Sequence, residues 1–154
     1  MKKTNIKNFK KTLSKFATGI TVICVTKDEK IFGKTINSFS SLSLNPPLVL
    51  FSIGNNSSNY KTYVGSKFLS INILSNKQKK LSDHFSKNNP SSNKIDFFKG
   101  KNNTSLINKC LANLECKLID KIKKGDHTII ICKVLNVKHN DNLKPLYYYN
   151  SKYY

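Results

Sequence analysis

Residues able to do polar chemistry gather in one stretch. From Gly33 to Pro47 the chain reads Gly-Lys-Thr-Ile-Asn-Ser-Phe-Ser-Ser-Leu-Ser-Leu-Asn-Pro-Pro, then passes through apolar Leu48-Val49-Leu50-Phe51 into Ser52-Ile53-Gly54. Small hydroxyl and amide groups stand where an ordinary core strand carries Val or Ile, so the segment offers short polar side chains and bare backbone. That combination suits a shelf for something polar and flat. Three further polar patches sit at predicted strand ends or inside a strand: Ser52 to Ser58, Asn72, and Gly125-Asp126-His127. Strand ends converging on one mouth are how a barrel builds a ligand site.

Acid-base chemistry has little to work with. The chain has 8 acidic residues and no GxSxG, P-loop, GxGxxG or HExxH motif, so hydrolysis by a recognised triad is not expected. His84, His127 and His139 lie too far apart in sequence to argue for a metal site. His139 reads as surface and His84 as the end of a helix. His127 follows Gly-Asp at a strand entrance, where its ring can point over a ligand. Cys24, Cys110, Cys116 and Cys132 form neither a CxxC pair nor a Cys/His zinc spacing, and they read as buried free thiols in a reducing, cytoplasmic setting.

The elements that must position these groups follow from periodicity. Ile6, Phe9, Leu13, Phe16 and Ala17 fall at helical spacing across Thr4 to Thr18, with Gly19 as the stop. Ile20 to Thr26 predicts a strand, Lys27-Asp28-Glu29-Lys30 a turn, and Ile31 onward its hairpin partner. Pro46-Pro47 cannot donate ladder hydrogen bonds, so the next strand starts at Leu48, at an edge or a bend. Ser57 or Ser58 is the predicted cap of a short helix through Val64. A strand over Phe68 to Leu74 and a short helix over Asn76 to Phe85 follow. Ser86 to Asn108 reads as a long polar surface excursion. Leu111 to Ile122 and Thr128 to Val137 form a hairpin around Gly125-Asp126, and the tyrosine-rich tail Tyr147 to Tyr154 is expected to dock on the body or a partner chain. This order implies an antiparallel barrel or sandwich with peripheral helices.

The 154 residues fit one domain, 1–154. All 27 basic residues are lysine, and the formal charge is +19. Such a field attracts anions, yet base-edge and bidentate phosphate recognition favour arginine, and the lysines are spread along the chain. Specific nucleic-acid binding is therefore not expected; gathering of phosphate-bearing small molecules is. Lysines interrupt any signal-like apolar run near Met1, and no apolar span is long enough for a membrane helix.

The motifs "FATGITV" near the start, "NSFSSLSLNPPLVLFS" from Asn37 to Ser52, "FLSINIL" from Phe68, "LSDHF" from Leu81, "LANLEC" from Leu111, "GDHT" from Gly125 and "PLYYYNSKYY" at the end occur in an order that resembles the flavin reductase-like, FMN-binding split-barrel family. The resemblance spans nearly the whole chain. It implies a mainly β fold, a six-stranded antiparallel split β-barrel of Greek-key type with peripheral helices, acting as a homodimer. The implied activity is an NAD(P)H:flavin oxidoreductase that supplies reduced flavin to a partner monooxygenase. FMN is the implied flavin, with FAD possible, and NADH or NADPH the co-substrate.

By the same resemblance, Thr35, Ile36, Asn37 and Ser38 meet the isoalloxazine and ribityl chain, much of it through backbone. Ser52, Ile53, Gly54, Asn55, Asn56 and Ser57 follow the ribityl and phosphate, with Asn72 close by. His127 stands beside the nicotinamide as the catalytic candidate. One of Tyr148, Tyr149 or Tyr153 flanks it, Tyr149 being the cofactor-binding choice. Such chemistry needs stacked rings in a dry cleft rather than a strong acid or base. The chain departs from the family pattern at Gly54-Asn55-Asn56 and Asn59, where an Arg and a Thr are common, so Ser57, Ser58, backbone and Lys61 are left for the phosphate. It departs again between Phe97 and Cys110. Two other readings stay open: a flavin-binding or electron-transfer module without free reductase activity, and a basic nucleic-acid-binding barrel.

Overall fold

The structure, a computed structural model, describes residues 5–154. Helix α1 runs Ile6–Leu13 and is capped by Asn5, whose side chain accepts from the Lys7 and Asn8 N–H groups. Its predicted first residue, Thr4, lies outside the described residues. The helix ends well before Gly19, which instead belongs to a short strand β1 (Thr18–Gly19). Strands β2 (Thr21–Lys27) and β3 (Lys30–Ile36) form the predicted hairpin over Asp28 and Glu29, at φ 49° and 61°, a left-handed pair that matches the twist of a two-residue turn.

Strand β4 (Ser40–Ser43) leads through Pro46-Pro47 into β5 (Leu48–Gly54). The proline pair is harmless at that entrance. Pro47 has no N–H to offer, but its carbonyl accepts from the Val134 N–H at 3.0 Å. Helix α2 (Tyr60–Gly65) starts from Asn59 in a left-handed conformation, φ 60°, with no side-chain cap, so the serine cap predicted at Ser57 or Ser58 is not formed. Strand β6 (Phe68–Ile73), a 3-10 turn at Asn76–Gln78 and helix α3 (Lys79–Ser86) follow.

The polar excursion from Ser86 to Asn108 holds more structure than its composition predicts. Strands β7 (Phe97–Lys99) and β8 (Ser105–Ile107) pair within it, and Thr104, Leu106 and Ile107 are buried. The reason is Asn72, which is wholly buried inside β6. Its Nδ2 donates to Val22 O at 2.9 Å and to Ser70 Oγ at 3.0 Å, and its Oδ1 accepts from the Ile107 N–H at 3.0 Å and Asn113 Nδ2 at 2.9 Å. A buried amide is costly unless every bond is made, so this cluster fixes β8 against the sheet.

Strands β9 (Ala112–Lys124) and β10 (His127–His139) form a long hairpin turning at Gly125 (φ 57°) and Asp126. The antiparallel order is β3-β2-β6-β9-β10-β5-β4, seven strands whose ladder does not close on itself. The sheet curls so that β3, at one edge, comes against β5, next to the other edge. Just past the end of β3, Ser38 Oγ donates to Ser52 O at 2.9 Å and accepts from the Ser52 N–H at 3.0 Å, clasping that end to β5. Inside the curl lie Ile23, Val25, Ile36, Phe51, Leu69, Ile71 and Ile130, with Tyr63 from α2. Fully burying a side chain such as Phe51 contributes roughly 1.5–3 kcal/mol.

The opposite face of β2, through Val22 and Cys24, packs on Phe85 of α3, Ile107 and Leu146. Gly33 permits this approach, since a Cβ there would meet the Phe85 ring at 2.4 Å. The tail docks as expected: β11 (Tyr147–Tyr149) pairs with β1, and β12 (Lys152–Tyr153) folds back on β11. All four cysteines are buried and free. Burial pushes the Cys110 and Cys132 thiols up to about 12 and raises those of Cys24 and Cys116, which makes them inert packing groups. No helix among the described residues is long and apolar enough to cross a membrane.

Candidate functional site

The clasp between Ser38 and Ser52 has a cleft beside it. Lys34, Thr35, Ile36, Asn37 and Ser38 form one wall, Ser52, Ile53, Gly54 and Ser57 the other, with His127 at the mouth, around a volume of about 300 Å³. A smaller hollow of about 190 Å³ adjoins it, sharing Thr35, Ile36 and Asn37 and closed by Ile20, Tyr148 and Tyr153. Together they reach the lower end of small-molecule sites, roughly 300–1,000 Å³.

Much of this surface is backbone because its side chains are occupied elsewhere. Thr35 Oγ1 turns away to donate to Ser82 O at 2.7 Å, and the Ser38 hydroxyl is held by the clasp. Ile36 and Ile53 point into the core. The groups left to meet a ligand are main-chain N–H and C=O groups, the Asn37 amide, the Ser57 hydroxyl, the Lys34 ammonium and the His127 ring. No carboxylate lines the cleft.

His127 is positioned by three contacts. In the ladder it stands opposite Gly54, and a Cβ on Gly54 would lie 3.7 Å from His127 Nε2 and 3.3 Å from Ser57 Oγ. The missing side chain keeps that space open. His127 Nδ1 lies 2.7 Å from Asp126 Oδ1. The hydrogen bond and charge of His127 hold the Asp126 carboxyl below its ordinary value, so it is ionised and can only accept. Nδ1 therefore carries the proton, and Nε2 is left to face the cleft. Asn55 pins the turn beneath: its N–H donates to Asp126 O at 2.8 Å, its Nδ2 to Gly125 O at 3.3 Å, and its Oδ1 accepts from Thr128 Oγ1 at 2.8 Å.

Of the sequence-predicted residues, the structure brings Thr35, Ile36, Asn37, Ser38, Ser52, Ile53, Gly54, Ser57 and His127 to one cleft. It does not bring the rest there. Asn55 is committed to the hairpin turn, Asn56 is exposed outside the lining, and Asn72 is the buried hub under β8. Lys61 lines a separate small hollow with Val25 and Lys27. Tyr149 faces outward against Tyr154, with ring centroids 6.4 Å apart. Its neighbours take the inner place: Tyr148 and Tyr153 meet edge to face at 5.1 Å, and Tyr153 Oη lies 2.9 Å from Ser82 Oγ, the residue whose carbonyl anchors Thr35. The signal for this was the two-residue alternation of a strand, legible only once Tyr148 is paired with Thr18.

A flavin fits this donor set. The glycine-floored gap at Gly54 admits a flat ring edge, and main-chain groups with a lysine at the rim suit its polar edge and an anionic tail. No cluster of acids, histidines and cysteines able to hold a metal occurs among the described residues.

Comparison with known proteins agrees with that chemistry. Residues 13–154 match the family model described as flavin reductase like domain. The FMN reductase (NADH) SmoA of Agrobacterium fabrum is 36% identical over 137 residues, covering 89% of this chain and 79% of that protein. The reductase component of the flavin-dependent trigonelline monooxygenase of Acinetobacter baylyi is 34% identical over 97% of this chain, which spans only 48% of that longer relative. The solved structure of the flavin reductase PheA2 superposes with a TM-score of 0.90 at 34% identity, covering 98% of this chain and 97% of its own. With the motif order, the curled antiparallel sheet and the backbone-lined cleft all in agreement, the chain belongs to the flavin reductase like domain family.

Proposed function

We propose that this chain, as a single domain over 1–154, is an NAD(P)H:flavin oxidoreductase that takes its electrons from NADH, or NADPH, and hands reduced FMN, or FAD, to a separate monooxygenase. The observation that carries this reading is the cleft itself: a main-chain shelf at Thr35–Ser38, free of carboxylates, with His127 Nε2 aimed across Gly54. A flavin held there would supply the redox chemistry, as the hydride acceptor for the dihydronicotinamide. The chain's own residues bind, orient and exclude water.

Thr35, Ile36, Asn37 and Ser38 support the ring edge, and Lys34 adds a positive charge at the rim. Ser52, Ile53, Gly54 and Ser57 continue toward the phosphate, where the Ser57 hydroxyl is the side-chain donor. His127, fixed by Asp126, presents Nε2 to the nicotinamide carboxamide. Tyr148 and Tyr153 flank the ring end through the adjoining hollow, a role that fits them better than Tyr149. Asn72 supports the site only through the core.

The six strands β2, β3, β5, β6, β9 and β10 act as the split barrel, with the Ser38–Ser52 contact holding the end of β3 to β5 and β4 added at the edge. A homodimer is the working form. Every residue of α1 is unburied, and its apolar stripe Ile6, Phe9, Leu13 with Phe16 stands exposed, as do Leu42, Ile119 and Ile122 on the sheet and Leu44 just past β4. A second copy offers each surface the other, as a two-fold interface requires. Buried free thiols suit a reducing cytoplasm. The test is purified protein with NADH and FMN: flavin-dependent nucleotide oxidation is expected, and flavin binding with no turnover would leave a flavin-carrying module in its place.

A further inference from the structure

A second cavity is larger than the cleft. It measures about 670 Å³ and lies under the segment 87–96, which straps from α3 across the β2–β3 turn to β7. The strap is tied to the same turn that ends the cleft. Asn59 Nδ2 donates to Asn89 Oδ1 at 3.0 Å, and the Asn89 N–H donates to Ser58 Oγ at 3.4 Å. Ser57 lines the cleft and Asn59 lines the cavity, two residues apart and so within about 7 Å along the chain. The two spaces are thus bounded by neighbouring residues of one turn.

The lining is of two kinds. Phe32, Ile95 and Phe97 give an apolar side with aromatic faces, while Asn59 and Asn89 bring amides that can both donate and accept. Glu29 and Lys30 stand at the hairpin rim, held out by the left-handed turn at Asp28 and Glu29. A flat heteroaromatic base with an amino edge, a ribose with two hydroxyls and a phosphate ask for this set: stacking surface, amides, a carboxylate acceptor and a cation. On the placement proposed above, a mononucleotide flavin would end near Ser57 and leave this set free.

We propose that the cavity under the 87–96 strap is an adenosine-phosphate subsite, taking the adenylate half of a dinucleotide whose reactive half lies in the cleft. FAD and NADH both carry that half. The inference rests on flavin binding at Thr35–Ser57. It assigns the strap a binding role and makes the dinucleotide preference of this chain a property of residues outside the cleft.

Two variants test it: Ser91→Trp, which fills the cavity from an exposed strap position, and Lys30→Glu, which reverses the rim charge. For each, the dissociation constants of FMN and FAD are measured by fluorescence, the KM for NADH with FMN as acceptor is determined, and ADP is titrated as a competitor. FMN affinity and the kcat with FMN stay within twofold of wild type. A tenfold or greater loss of FAD affinity supports the subsite with FAD as its occupant; a comparable rise in NADH KM at constant FAD affinity supports it with the nicotinamide dinucleotide. ADP competes with whichever ligand is affected. Unchanged FAD affinity and NADH KM in Lys30→Glu, or equal loss of FMN and FAD in both variants, overturns the proposal. Wild-type protein that binds no FMN overturns the flavin reading beneath it, a separate result visible before any variant is made.

Discussion

Replacing Ser38 by Ala removes the clasp between the end of β3 and β5. The hydroxyl makes two bonds there, donating to Ser52 O and accepting from Ser52 N–H. Each is worth about 0.5–1.5 kcal/mol net, and the position is open enough for water to take over part of both. The expected loss is therefore ~1–2 kcal/mol in denaturant unfolding, a modest shift in midpoint with an unchanged slope. The larger consequence falls on the cleft. Ser38 and Ser52 sit on its two walls, so releasing them lets the walls separate and the main-chain donors lose their common aim. Flavin affinity, read by fluorescence quenching, drops about tenfold, ~1.4 kcal/mol, and Ser38→Thr, which keeps the hydroxyl, recovers most of it. An Ala variant that loses stability while binding flavin as tightly as wild type would refute the claim that the seam builds the site.

Three other outcomes are expected. His127→Ala lowers kcat/KM for NADH by roughly tenfold or more while flavin affinity changes less than threefold; equal losses would reduce the ring to a shaping role. Burial pushes the Glu115 carboxyl up, but hydrogen bonds from Thr104, the backbone at Asn102 and Lys101, and Asn136 outweigh it and hold the group below its ordinary value. A depressed folded pKa stabilises the protein above the unfolded value of about 4.3, and that contribution is lost as pH falls through the folded value, so acid unfolding of Glu115→Gln is shallower than wild type below about pH 4. Phe9→Asp, on the exposed stripe of α1, shifts the protein from dimer to monomer in sedimentation; a wild type already monomeric at working concentration contradicts the interface.

Local pattern made most of the elements legible. The β2–β3 and β9–β10 hairpins follow from alternating apolar runs around Asp28-Glu29 and Gly125-Asp126, and the polar run Thr35–Ser38 stood out because no core strand needs it. Long-range contacts were not legible. Asn72 looked like a site residue because an amide inside a strand is unusual, yet its partners Ile107 and Asn113 lie far along the chain and make it a core hub. The same distance hid β7 and β8 within a polar stretch. Tyr149 and Tyr148 are indistinguishable by composition; pairing of β11 with Thr18 and Gly19 decides which one turns inward. The helix predicted through Thr18 ended at Leu13 because the next residues turn back toward the tail, where the Asn150 N–H donates to Ser14 O.

The central claim is that the Thr35–Ser38 shelf holds a flavin for reduction by a nicotinamide dinucleotide. Its most direct test is the loss of dihydronicotinamide absorbance when purified protein, NADH and FMN are mixed, compared with the same mixture lacking FMN. The account predicts rapid oxidation that requires both protein and flavin and weakens sharply in Ser38→Ala. Oxidation that is absent, or that proceeds equally without FMN, would contradict it.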